Sequence, residues 1–269
     1  MDMIPIWVIV VTTIILAMLA VESGNRLGRR AIRNPNREKL PPVSSVVSSM
    51  LRLLAFMLAF TFGLAANRYD SRKTLVRDEA NALRTAWLRS EFLAEPSRSE
   101  SQTLIRSYVN HRIASARLGE QDALDTAIAE SERIQRRLWR IAVAVGLQDP
   151  HSQVAALYVT SLNQLIDLHA LRVVIGLRAR VPTGIWIALY ALIILGMAGV
   201  GFQNAIAEAN GRSWAPFLLA LSFSVVIALI ASLDRPLNGF VTVSQRPLAE
   251  TGAWMDSGAQ AGVDPADKP

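Results

Sequence analysis

Five polar residues are spaced so that helices could bring them together: Asp78, Glu79 and Asn81 within one turn, and Asn163 and Asp167 four positions apart. Four residues is close to one helical turn, so Asn163 and Asp167 share a face that can be set against the first group. Carboxylates and amides gathered in this way can tie two helices together through buried hydrogen bonds, or they can hold an ion or polar ligand. The structural contact is the expectation, with Glu79 and Asn81 meeting Asn163 or Asp167 and with Arg84 and Arg89 beyond. The histidines His111, His151 and His169 are scattered and lack HExxH or similar spacing, and there is no cysteine to supply a thiolate. Phosphate-cradling GxGxxG and GxxxxGK[ST] loops are missing, as is GxSxG. The expectation is a protein that is not an enzyme, with no catalytic residue, no cofactor and no metal site.

A second set of residues lies in a strongly apolar stretch: Arg52, Phe56, Phe60 and Leu64, each four from the next, with Asn67 continuing the same face. If this helix stood at the axis of an oligomer, Phe56 and Phe60 would form rings of hydrophobic side chains, which can gate a pore by dewetting. The alternative is that they face lipid or a neighbouring helix. Arg52 is expected a turn or two inside one membrane interface, snorkelling or paired.

The elements that must position these residues follow from hydropathy. Of the 269 residues 51% are hydrophobic, and they are concentrated in windows at about 3–21, 43–66, 185–207 and 215–233. Each window matches the roughly 20 apolar residues needed to cross a bilayer. The start Met1-Asp2-Met3 lacks the basic region of a signal peptide, so the first window is expected to remain in the mature chain. It ends at Glu22-Ser23-Gly24 and gives way to a loop bearing Arg26, Arg29, Arg30, Arg33, Arg37 and Lys39, kept non-helical by Pro35, Pro41 and Pro42. The net charge of +6 does not imply nucleic-acid binding, because the arginines alternate with acids along the polar segments.

Residues 67–184 have no spanning window and read as an inserted all-α domain, an antiparallel bundle. Glu95-Pro96 ends its first helix, and Ser97 or Ser99 caps the second, which Gly119 terminates. Gly146 ends the third, and Asp149-Pro150 opens the fourth as N-cap and first-turn proline. The third helix has a stripe at Leu124, Ala127, Ser131, Ile134, Leu138, Ile141 and Val145. In the second, Leu104, Ile105, Tyr108, Val109, Ile113 and Ala116 make a comparable face, with Arg106, His111 and Arg117 outside it. Because no proline or capping glycine interrupts 64–94, the second span and the first domain helix are expected to be one helix or two collinear ones. Gly184, Ala188 and Gly196 fall on one face of the third span, where small residues either admit another helix closely or are simply the small residues common in membrane helices. The third and fourth spans are joined by a polar turn at Glu208–Arg212. Residues 234–249 read as an extended segment and 250–269 as a disordered tail.

The segments FGLAANRYDSRKTLVRDEANALRTAWLR (62–89), SYVNHRI (107–113), LWRIAV (138–143), LNQLIDLHALR (162–172), RVP (180–182) and LDRPLNGFVTVSQRPL (233–248) occur in that order. Together they resemble the bestrophin-like family of bacterial membrane proteins over about residues 10–249. The resemblance implies four spans with a helical domain between the second and third, in a multi-pass protein of the bacterial inner membrane. It also implies kinship to bestrophins, anion channels that assemble as pentamers around their second spans. The functional expectation is a homo-oligomeric channel, in contact with the lipid bilayer and passing small anions. The alternative is a non-conducting scaffold or sensor whose helical domain binds a partner.

Two readings of membrane orientation stand side by side. The six basic residues of the first loop place that loop in the cytoplasm and the inserted domain outside. The family resemblance implies a cytoplasmic domain, which Arg68, Arg72, Lys73, Arg77, Arg172, Arg178 and Arg180 near the membrane support. At the end of the fourth span, Asp234 and Arg235 precede Pro236, which disfavours helix at the residue before it. A carboxylate at a helix C-terminus opposes the helix dipole. Asp234 is therefore expected to pair with Arg68, Arg72 or Arg180, locking GFVTVSQRPL against the base of the domain.

Overall fold

The computed structural model describes residues 5–33, 43–115, 121–207, 214–235 and 241–261, and they are helical with no strand among them. The chain divides into two compact units, Met1–Arg68 with Arg180–Val241 and Tyr69–Ala179 with Thr242–Pro269. The basic loop about Arg37 and Lys39, Gly119, the turn at Glu208–Arg212, Pro236 and the last eight residues lie outside the described residues.

The first unit holds α1 (Ile6–Ile32), the beginning of α2 (Val43–Ser90), α6 (Thr183–Ile206) and α7 (Ala215–Asp234). All four helices are long and apolar enough to cross a membrane. Helix α1 does not stop at Glu22-Ser23-Gly24 but continues to Ile32, because its last turns have something to pack against. Gly24 and Gly28 are buried on α6, and a Cβ on Gly24 would collide with the carbonyl oxygen of Ala198. Gly201 on α6 has the reciprocal constraint, its Cβ position being occupied by the carbonyl oxygen of Val21. Glycine is thus required at both places by backbone approach. The small-residue face expected at Gly184 is not such a contact, since nothing lies within 4 Å of its Cβ position. Gly196 is a milder case, 3.2 Å from a Leu51 methyl. Thr13 Oγ1 and Tyr190 Oη, 3.1 Å apart, join α1 to α6 by a hydrogen bond.

The remainder of α2 and α3 (Ser97–Ser115), α4 (Gln121–Gln148) and α5 (Gln153–Leu171) form a helical bundle in the second unit. A π-helical turn at Arg172–Arg178 follows α5 without a break, and α8 (Arg246–Ala261) completes the unit. Helix α2 runs through the end of the apolar stretch as one element, as the lack of helix breakers predicts. The α3 and α4 stripes point inward: Leu104, Tyr108, Ile134 and Leu138 are buried together with Leu83, Tyr158 and Leu165. Helix α5 starts later than Asp149-Pro150 suggests. Its cap is Ser152, whose Oγ accepts from the Ala155 amide at 3.2 Å, while Asp149 accepts from the amide of His151.

The C-terminal expectation needs correction. Residues 242–245 are non-helical, but 246–261 form α8 instead of continuing an extended segment into a disordered tail. Leu248 and Met255, two turns apart, are buried in the domain core, and the Arg84 guanidinium lies 4.2 Å from the centroid of the Trp254 ring. Arg106 bonds the Gly252 carbonyl and the Asp256 carboxylate. A composition rich in Gly, Ala and Asp conceals this helix, because the apolar anchors that hold it are few and are matched only by the surface they meet.

Candidate functional site

Glu79 lies on α2 well beyond the apolar stretch that ends near residue 66, and it faces the interior of the second unit with no exposed surface. It sits on the same stripe as Val76 and Leu83, so the helix delivers a carboxylate where a hydrophobic residue would ordinarily pack. Two cations answer it. Arg112 of α3 continues the Leu104-Tyr108 stripe and places its Nε 3.3 Å from Glu79 Oε1, and Arg172, just past α5, bonds Oε2. Tyr108 donates its hydroxyl to Oε1 at 2.7 Å. With that proton committed, the Tyr108 oxygen accepts from His169 Nδ1 at 3.2 Å, which leaves His169 Nε2 as the bare acceptor nitrogen. Arg172 also donates to the Gln245 side-chain oxygen at 2.7 Å, drawing the segment before α8 into the same centre.

Electrostatics fix the charge states. Burial alone would raise the Glu79 pKa, but Arg172 and then Arg112 outweigh it and hold the carboxyl at about 2. Burial first, and Arg112 next, press His169 down to about 4, so the ring is neutral at physiological pH. Tyr108 is pushed well up by burial and by the neighbouring Glu79, and keeps its proton. Burial depresses Arg172, whereas in Arg112 the attraction of Glu79 more than offsets the burial. A guanidinium does not deprotonate in either setting. The centre is a fixed ion network of two cations and one anion, and its chemistry is structural: at neutral pH no group in it is poised to exchange a proton.

The structure separates the other residues of the polar group from Glu79. Asn81, Asn163 and Asp167 are exposed, and half-buried Asp78 pairs with its neighbour Arg77 at 3.6 Å. The expected meeting of Glu79 and Asn81 with Asn163 or Asp167 is therefore not formed. Helical register is the reason: Asn81 lies two residues, about 200°, from Glu79, and α5 turns His169 inward while Asn163 and Asp167 point out. From sequence Tyr108 is placed only on a core-facing stripe, His169 only among scattered histidines and Arg172 only among cations near the membrane, and none of these, nor Arg112 or Gln245, is assigned to this centre. Their signal is a polar or charged residue at a core-facing register position, as with Arg112 after Leu104 and Tyr108.

In the first unit Arg68 Nη1 lies 3.5 Å from Asp234 Oδ1, which also accepts from the Val181 amide at 2.9 Å. Both contacts compensate a buried carboxylate at the end of α7. Arg180 is half-buried, Arg235 is buried, and Arg72 is buried in the second unit. On α2, Leu54, Leu58, Thr61 and Ala65 turn into the unit, whereas Phe56 and Phe60 are 65% and 52% exposed. Arg52 is exposed on the same side, donating to Ser49 Oγ at 3.3 Å, and Leu64 is half-buried.

A model of the bestrophin-like domain matches residues 12–248. No curated protein sequence matches the chain. Among solved structures, a point variant of a membrane protein is similar with a TM-score of 0.63 at 14% identity, covering 94% of this chain and 96% of its own. A point variant of a bacterial bestrophin homologue from Klebsiella pneumoniae gives a TM-score of 0.60 at 13% identity, covering 95% of this chain and 98% of its own. At these identities the likeness concerns the fold.

Proposed function

Because the chain belongs to the bestrophin-like family, we propose that this membrane protein is a homo-oligomeric anion channel of the bacterial inner membrane, with the apolar part of α2 lining the conduit. The observation that carries the reading is the unequal burial of the spans. The apolar window of α7 is 56% buried within one chain and that of α2 only 17%. A helix with Phe56 and Phe60 outward on one face has that face available to other copies, and Arg52 on the same side supplies a positive charge that favours anions.

The absence of cysteine makes the test direct. Phe60→Cys is introduced as the single thiol, and chloride efflux from proteoliposomes is followed before and after treatment with a negatively charged methanethiosulfonate. Efflux from the untreated protein, blocked by modification of Phe60→Cys but not of Val143→Cys on α4, is the expected result. Cross-linked species above a monomer should accompany it. No efflux above empty vesicles would reject conduction and leave the scaffold reading.

A further inference from the structure

Between α4 and α5 the second unit carries an open cleft of about 680 Å³, within the range of roughly 300–1,000 Å³ typical of small-molecule sites. Its walls are mainly apolar, with Trp139 from α4 and Ile166 from α5. Gln135 also lines it. This side chain is 7% exposed and its Nε2 has no hydrogen-bond acceptor among the described residues. Buried amide donors are almost always matched, and this nitrogen lies just behind the cleft wall, closed to solvent, so that a turn of the Gln135 side chain brings it to an acceptor from outside the chain. Of the cations around the cleft, Arg133 is paired with Glu130 and Arg136 with Glu132. Arg140 has no acidic partner among the described residues and is exposed at the same cleft. One uncompensated positive charge and one unmatched amide beside an apolar wall match an acceptor of single negative charge.

We propose that this cleft binds an amphipathic monoanion: an aromatic or alkyl body carrying a carboxylate. The body lies on Trp139 and Ile166, and the carboxylate is held by Arg140 and by the Gln135 amide once that side chain has turned to the cleft. The site belongs to the second unit alone, so its fate does not depend on whether α2 conducts.

The experiment is a fluorine NMR titration of the full chain in nanodiscs with 4-(trifluoromethyl)benzoate, against empty nanodiscs and against the uncharged 4-(trifluoromethyl)benzamide. Saturable binding of one benzoate per chain is expected. The amide and plain acetate should bind at least about tenfold more weakly, because each lacks one half of the recognition. Arg140→Ala and Trp139→Ala change exposed residues and should each weaken binding about tenfold. Gln135→Leu should weaken it as well, and Arg246→Ala on α8 should not. The proposal is overturned by benzoate binding no greater than to empty nanodiscs, by equal affinity for the amide, or by Arg140→Ala and Trp139→Ala leaving the titration unchanged. It is also overturned if Trp139→Cys cross-links to a second copy whose presence excludes benzoate, since the cleft would then be an interface between chains.

Discussion

Glu79→Ala isolates the ion centre. In the native domain one fully buried carboxylate answers Arg112 and Arg172, which are themselves buried. Removing it leaves two guanidinium groups of like charge facing each other in a dry interior, and the loss of one member of a buried pair costs about 3–5 kcal/mol. For a chain of this size that corresponds to a fall in Tm of about 6–20 °C. The assay is thermal unfolding in nanodiscs, followed by tryptophan fluorescence. Glu100→Ala removes an exposed carboxylate 3.4 Å from Arg137 and is the control, with an expected cost of no more than about 1 kcal/mol. The apolar replacement Glu79→Leu with Arg112→Met and Arg172→Met should recover most of the loss, because it removes the charges together. If Glu79→Ala costs no more than Glu100→Ala, the reasoning fails, and the network contributes nothing beyond its packing.

Acid should act through the same centre. His169 is held at about 4 against an ordinary 6.5, so between those values the unfolded chain binds the extra proton and stability falls as pH is lowered through them. The depressed Glu79 adds a second loss, from its ordinary 4.5 down to about 2. Tm measured from pH 7 to 4 should decline in the native protein and be flatter in His169→Gln; equal slopes would refute the assignment. Gly24→Leu and Gly201→Val each force a side chain into a facing carbonyl group, and should cost at least about 1–3 kcal/mol in the same unfolding assay. A Tm within 2 °C of the native value would show that α1 and α6 do not approach as described. Asp234→Ala strands Arg68 and the Val181 amide and should cost about 1–3 kcal/mol. Arg68→Ala combined with it should be less than additive, and strict additivity would deny the pairing.

Hydropathy alone marks the four apolar helices, because about 20 consecutive apolar residues have few uses other than crossing a bilayer. The continuity of α2 is equally local, being set by the absence of proline and capping glycine between Gly63 and Glu95. Spacing by four also placed Arg52, Phe56 and Phe60 on one face, as the structure has them. What tertiary structure decided is which polar residues meet. Asp78, Glu79 and Asn81 are indistinguishable as a cluster in sequence, yet each residue turns a helix by about 100°, so only Glu79 enters the core. Its partners Arg112 and Arg172 come from positions 33 and 93 residues away, and no local pattern pairs them. Helix α8 makes the same point, since its few apolar anchors acquire meaning only from the cavity that Leu248 and Met255 fill. Local periodicity specifies which face of a helix is apolar. Long-range packing alone specifies what that face, and any charge stranded on it, will meet.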